Sequence, residues 1–267
     1  MSGPERALLD RVAAIARRAG REILEVYHSG EAAATTKADA SPLTAADLRS
    51  HRLIVAALAE LTPDTPVLSE EAAETPFAER CSWRRYWLVD PLDGTREFLS
   101  RNGEFTVNVA LIEGHAPALG VVHAPVTDVS YRGAPGAGAW RQQADAPPQP
   151  IRAARHSAVP LRVVGSRSHR GDSLAAFLGR VGPHELLEMG SSLKFCLLAE
   201  GAADVYPRLG PTSEWDTAAA HAVLAGAGGS VSALDGAPLQ YNTRAQLRNP
   251  FFVAYGPTDH DWLALLR

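Results

Sequence analysis

Trp87-Leu88-Val89-Asp90-Pro91-Leu92-Asp93-Gly94-Thr95 decides how this chain is read. Tyr86 to Val89 is a short apolar run that predicts a buried strand, and it stops abruptly on acid. Pro91 fixes the backbone between two aspartates at i and i+3. Both carboxylates, with the Leu92 carbonyl between them, can then face one cation or a close pair. Gly94 permits a tight turn. Thr95 is expected to cap a short helix, Arg96 to Leu99, whose first N–H groups would point at an anion.

Working outward, three more acidic groups stand at the ends of predicted elements. Ser69-Glu70-Glu71 follows the apolar Pro66-Val67-Leu68. Trp215-Asp216-Thr217 opens an alanine-rich helix, and Asp47 falls in the first turn of a helix that Thr44 can cap. Each has a plain structural reading: Asp-Gly-Thr as a turn, Asp216 as a helix cap, Glu70-Glu71 as a solvated pair, Thr44 with Asp47 as a capping box. Taken together and in order they point elsewhere. Carboxylates that converge repel, and some must take up protons unless a cation intervenes. Hard oxygen ligands of this kind suit Mg²⁺.

The rest of the chain supplies the frame. Leu8, Val12, Ile15, Ala19, Ile23 and Val26 predict an amphipathic helix ending near His28 and Gly30. Glu31 to Ser41 reads as a loop or short hairpin, and a second helix runs from Thr44 through Leu58 to a stop at Pro63. Phe105 to Ile112 and Ala118 to Ala124 form a hairpin around Glu113-Gly114, continued by Val129 to Tyr131 and Ala139-Trp140. Gln142 to Pro150 reads as a linker. Beyond it strands at 162–164, 185–189 and 203–206 alternate with helices at 173–178, 193–200 and 217–227, the pattern of an α/β layer.

With 267 residues, 46% apolar and 21% charged, the chain fits one large domain or two joined halves. A net charge of −4 argues against nucleic acid as a partner. Cys81 and Cys196 match neither a disulfide framework nor a zinc spacing, so a reducing cytoplasm is expected. The N-terminal MSGPERALLD carries no signal-peptide pattern, and no run approaches ~20 apolar residues, so no transmembrane segment is expected. Peripheral membrane attachment and oligomeric state stay open.

Asp90-Pro-Leu-Asp-Gly-Thr95 and Trp215-Asp-Thr-Ala-Ala219 resemble the paired signatures of the inositol monophosphatase superfamily, lithium-sensitive, Mg²⁺-dependent phosphomonoesterases. Pro42–Asp47, Leu68–Glu71, Arg101–Asn108, Gly165–His169, Gly190–Cys196 and Tyr206–Thr212 are similar to its bacterial 3′(2′),5′-bisphosphate nucleotidase branch. The resemblance implies a layered αβαβα sandwich over 1–267, within the α/β (α+β) class. An antiparallel-sheet half of about 1–145 would hold the metal and phosphate site. An α/β half of about 150–267 would hold the nucleotide contacts and the last metal ligand. It implies two or three Mg²⁺ ions held by Glu70, Asp90, the Leu92 carbonyl, Asp93 and Asp216. Asp47, Glu70 and Thr95 would be catalytic, with Asp47 paired to the Thr95 hydroxyl. The phosphate would meet Gly94 and Thr95 alongside those metal ligands. Ser191, Ser192, Lys194 and Arg208 would meet the nucleotide, and Ser166, Arg167 and His169 its base or 5′-phosphate.

The implied substrate is a small nucleotide, adenosine 3′,5′-bisphosphate, a by-product of sulfate assimilation. Hydrolysis of inositol phosphates or fructose 1,6-bisphosphate is the nearest alternative, and a non-catalytic metal-loaded binding protein a more distant one. Ala220 stands where the second signature usually has glycine.

Overall fold

A computed structural model describes residues 3–29, 35–36, 42–167, 172–258 and 260–266. Lys37 and His169 lie outside them. In chain order the elements are α1 (Gly3–Ser29), β1 (Thr35–Thr36), β2 (Pro42–Leu43), α2 (Ala45–Leu61), β3 (Val67–Ser69), α3 (Phe77–Arg80), β4 (Arg85–Asp93) and α4 (Thr95–Leu99). Then come β5 (Thr106–Glu113), β6 (Ala116–Ala124), β7 (Val129–Ala134), β8 (Gly138–Gln143) and β9 (Gln149–Ile151). The second half holds β10 (Leu161–Ser166), α5 (Asp172–Val181), β11 (His184–Met189), α6 (Leu193–Ala199), β12 (Val205–Arg208), α7 (Ala218–Gly226), β13 (Ser230–Ala233) and β14 (Phe252–Tyr255). Among the described residues, β3 to β9 lie side by side in sequence order as a seven-stranded sheet, antiparallel except for the β3–β4 pair. The second sheet has five strands in the order β11-β10-β12-β14-β13, parallel around β10 and antiparallel around β14.

Five layers follow from which faces are apolar. The periodic face of α1 (Val12, Ala16, Ala19, Ile23) and the Ile54–Leu58 face of α2 cover one side of the large sheet, against Trp87, Val89, Val107 and Val109. Its other side, with Leu88, Ala110 and Val122, meets α6 and α7, which in turn cover the smaller sheet. Phe177 of α5 and Trp262 close the outer face of that sheet over Val163, Val205 and Val253. This is the αβαβα sandwich expected.

The expected loop or short hairpin before α2 includes a two-residue ladder of β1 with β2. The linker expected over 142–150 is corrected. β8 runs to Gln143, and Gln149–Ile151 returns as the edge strand β9, opposite Ala139–Arg141. Pro150 is tolerated there because an edge strand does not need every N–H. Thr95 is likewise not the cap of α4. Gly94 is, in a left-handed conformation (φ +91°) that glycine adopts without a Cβ penalty.

Two glycines explain how closely the layers meet. A Cβ on Gly120 of β6 would lie 2.2 Å from the Ala219 carbonyl oxygen of α7, and one on Gly226 would lie 2.4 Å from the Gly138 carbonyl oxygen. The alanine-rich α7 therefore rests with its backbone almost on the sheet. Ala220, fully buried in the shared core, is part of that contact layer. Gly120→Ala should force α7 off the sheet and cost about 2 kcal/mol or more, overpacking against rigid backbone. Urea unfolding measures it; a loss under about 0.5 kcal/mol would contradict the packing described.

Candidate active site

The Asp90–Asp93 spacing acquires its meaning from a β-bulge. On β5, Asn108 lies opposite Asp90 and Thr106 opposite Asp93, so three steps along β4 match two along its partner. In a regular strand, residues three apart point to opposite faces. The irregularity corrects the parity and brings both carboxylates to one side. Pro91 sits inside it, where no ladder donor is required, and the Leu92 N–H turns inward to the Asp90 carboxylate (3.1 Å). Ser50 of α2 fixes the bulge from behind, donating to the Pro91 carbonyl (2.7 Å).

Asp216 arrives from the other half, one residue before the Thr217 cap of α7. Its carboxylate accepts the Ser213 N–H (2.9 Å), which closes the preceding turn and aims the second oxygen inward. One oxygen each from Asp90, Asp93 and Asp216 then lie within 4.8 Å of one another. Glu70, in the 3₁₀ turn that follows β3, hydrogen-bonds Asp90 and lines the same cavity of about 250 Å³. Leu92, Gly94 and Thr95 line it too.

Asp47 approaches from α2. Its Oδ2 completes the capping box, accepting the Thr44 N–H (2.8 Å) and hydroxyl (2.6 Å). Its Oδ1 accepts the Thr95 hydroxyl at 3.4 Å. The buried side of α2 is polar at Asp47 and Ser50 because it faces the bulge and Thr95; neither residue lines the cavity itself.

The cavity also carries cationic groups. Ser191, Lys194 and Arg208 line the cavity, joined by Arg96, Phe195, Tyr206, Thr212 and Ser166. Ser191 has a positive φ of 45°, and its buried hydroxyl has no hydrogen-bond partner. The Arg208 Nε is also buried without one, while its Nη2 holds the Pro211 carbonyl (2.7 Å). Lys194 Nζ donates to the Ser191 carbonyl and lies over the Tyr206 ring. Ser192 does not line the cavity; it stands behind Asp93 and donates to it through N–H (2.7 Å) and hydroxyl (2.8 Å). Arg167 is turned into a two-armed ion pair with Glu104 (2.7 and 2.8 Å). The sequence alone assigns no role to Arg96, Thr212 or Asn108, although the last two close segments that carry the resemblance; the cavity and the network behind it reveal them.

Charge and burial conflict here. Burial pushes the Asp90 carboxyl well above the usual carboxylate range, and the charges of Glu70, Asp93 and Asp216 push it further. Burial also raises Asp93, although Lys194, Ser192 and Asn108 pull it back. Asp216 is pushed up to about 8, by burial first and Asp93 next. Lys194 is pushed down to about 8 by burial, against the pull of Asp93. Protons or a cation must relieve the acidic side. Four carboxylate side chains, with a strand-end carbonyl, form a hard-oxygen donor set that fits a divalent metal.

An αβαβα sandwich with a cluster of carboxylates where its two sheets meet is the architecture of a phosphatase family. The chain belongs to the inositol monophosphatase family, whose profile matches residues 6–255. It is 51% identical over 248 residues to the 3′(2′),5′-bisphosphate nucleotidase CysQ of Escherichia coli K12, covering 92% of this chain and 98% of that one. The crystal structure of CysQ from Bacteroides thetaiotaomicron superposes with a TM-score of 0.80 at 40% identity, over 92% of this chain and 96% of that one. An inositol monophosphatase from Anabaena sp. PCC 7120 superposes at 0.75 with 25% identity, over 99% and 95% of the two chains.

The raised Asp216 carboxyl fixes a sign. Without metal, the native state holds a proton that the unfolded chain releases above 3.8, so this contribution to stability is full at low pH and is lost as pH rises through about 8. A cation replaces that proton. The rise in Tm on adding Mg²⁺ should therefore grow with pH up to about 8, and Asp216→Asn should flatten the dependence. A Mg²⁺ effect equal at every pH would contradict it.

Proposed function

We propose that the chain is a Mg²⁺-dependent 3′(2′),5′-bisphosphate nucleotidase that converts adenosine 3′,5′-bisphosphate and water to AMP and phosphate. The observation that carries this is the lining of one cavity, which holds clustered carboxylates together with Ser191, Lys194 and Arg208. A substrate with two phosphates matches both sets of groups, the scissile phosphate at the carboxylates and the other against the cations. The 51% identity to a nucleotidase over nearly the whole chain supports it.

Glu70, Asp90, the Leu92 carbonyl, Asp93 and Asp216 would hold two or three Mg²⁺ ions. Bound there, the metal would supply positive charge that lowers the pKa of the attacking water and stabilises the departing 3′-oxygen. The chain's own groups do the rest. Gly94 and Thr95 N–H groups, at the start of α4, face the scissile phosphate. The Thr95 hydroxyl, already donating to Asp47, relays the water's proton to that carboxylate as the new P–O bond forms. The 3′-oxygen leaves with the bond electrons and takes a proton from solvent. Lys194 and Arg208, held by the Ser191 and Pro211 carbonyls, hold the remaining phosphate in register. The unpartnered Ser191 hydroxyl is available to the same ligand. The substrate so assigned comes from sulfo-group transfer, which places the enzyme beside sulfate assimilation in the cytoplasm.

Phosphate release from adenosine 3′,5′-bisphosphate should require Mg²⁺ and greatly exceed release from inositol 1-phosphate; a preference for the inositol ester would overturn the substrate. Asp93→Asn should lower kcat by on the order of a hundredfold or more, and near-normal turnover would remove Asp93 from the metal set. Lys194→Ala should raise KM for the bisphosphate about tenfold with little effect on a simple phosphomonoester; equal effects would mean that Lys194 does not read the second phosphate.

A further inference from the structure

Behind the carboxylates lies a second layer of polar groups that touches no part of the cavity. The Ser192 hydroxyl is within reach of two acceptors, the Asp93 carboxylate (2.8 Å) and the Asp216 backbone carbonyl (2.7 Å). It also accepts the Asn108 side-chain amide (2.8 Å). The same amide nitrogen reaches Asp93 Oδ2 at 3.3 Å. The Thr106 hydroxyl donates to Asn108 Oδ1 (3.1 Å), which orients the amide so that its nitrogen faces Ser192 and Asp93. Ser192, Asn108 and Thr106 are all buried.

The placement of these groups is informative. Asp93 ends β4 in the seven-stranded sheet, while Asp216 precedes α7 in the other half. Asn108 lies on β5, directly across from Asp90. Ser192, at the start of α6, is the side chain that bonds both Asp93 and the backbone of Asp216. Its hydrogen and one lone pair are already engaged, so little remains with which to hold a ligand. The adjacent Ser191 is the reverse: its hydroxyl lines the cavity and has no partner.

We propose that the two neighbouring serines divide the work, and that Ser192, oriented by Asn108, is a positioning residue that sets the spacing of Asp93 and Asp216 across the two halves instead of contacting the nucleotide. Three donors converge on Asp93 Oδ2, from the Ser192 N–H, the Ser192 hydroxyl and the Asn108 amide. They fix the carboxylate plane through Oδ2, so that Oδ1 is the oxygen that would be left to hold a metal. The same Ser192 hydroxyl shares its one hydrogen between Asp93 and the Asp216 carbonyl, which ties the start of the second carboxylate to the first. Groups that orient metal ligands in this way govern metal affinity more than substrate affinity. The inference rests on the metal reading of the acidic cluster.

Calorimetric titration of the full chain with Mg²⁺, beside KM for adenosine 3′,5′-bisphosphate at saturating Mg²⁺, separates the two roles. Ser192→Ala should weaken Mg²⁺ binding about ten- to a hundredfold and leave KM within about twofold, and Ser192→Thr, which keeps the hydroxyl, should restore binding. Asn108→Ser should shift Mg²⁺ affinity in the same direction, and it serves as the reading if the alanine variant does not fold. A rise in KM with unchanged Mg²⁺ affinity, or no change in either, would overturn the proposal while leaving the metal site standing. A wild-type chain that binds no Mg²⁺ would overturn both.

Discussion

Asp90, Asp93 and Asp216 bring carboxylate oxygens within 4.8 Å of one another, with Asp90 buried and the other two half-buried at the cavity wall. Burial and mutual repulsion both act against their charge. A fold relaxes such an arrangement unless the backbone imposes it, and the backbone here does so from three directions. The bulge in β4 corrects the parity of Asp90 and Asp93, α2 holds that bulge through Ser50 and Pro91, and the 213–216 turn delivers Asp216 from the other half. The stress is concentrated at one point and is relieved by positive charge.

The layering makes that delivery accurate. α7 is shared between the two sheets, and its alanines and the glycines facing it let backbone approach backbone. Asp216 is tied to the start of a helix whose position on the large sheet is sterically defined. The cavity therefore inherits rigidity from both halves, and its acidic and cationic groups are held on one frame. Catalysis of phosphoryl transfer is mostly positioning and charge neutralisation, which a rigid junction of this kind can supply.

Much of the site was legible because it is local. Asp90-Pro-Leu-Asp-Gly-Thr95 holds its own turn chemistry, and the Thr44–Asp47 capping box is a four-residue pattern that the structure reproduces. The helices α1 and α2 follow from their apolar spacing. What escaped is what depends on partners far along the chain. β9 looks like a linker because its pairing with β8 is invisible in a Pro- and Gln-rich run. Thr95 looks like a better cap than Gly94 until the backbone at Gly94 turns left-handed. β13 and β14 give no distinct local signal, and their place depends on pairing with each other and with β12. The bond from Ser192 to Asp93 spans 99 positions, and that from Asn108 to Ser192 spans 84, so no local pattern could announce either.

The central claim is that the buried carboxylates are built to hold a divalent cation between the halves. Anomalous diffraction from a crystal of the protein soaked in Mn²⁺ tests it most directly. The account predicts a metal peak at the cluster of Asp90, Asp93 and Asp216, beside Glu70. Strong peaks elsewhere with none at this cluster, or a cluster that retains its protons in the presence of the metal, would contradict it.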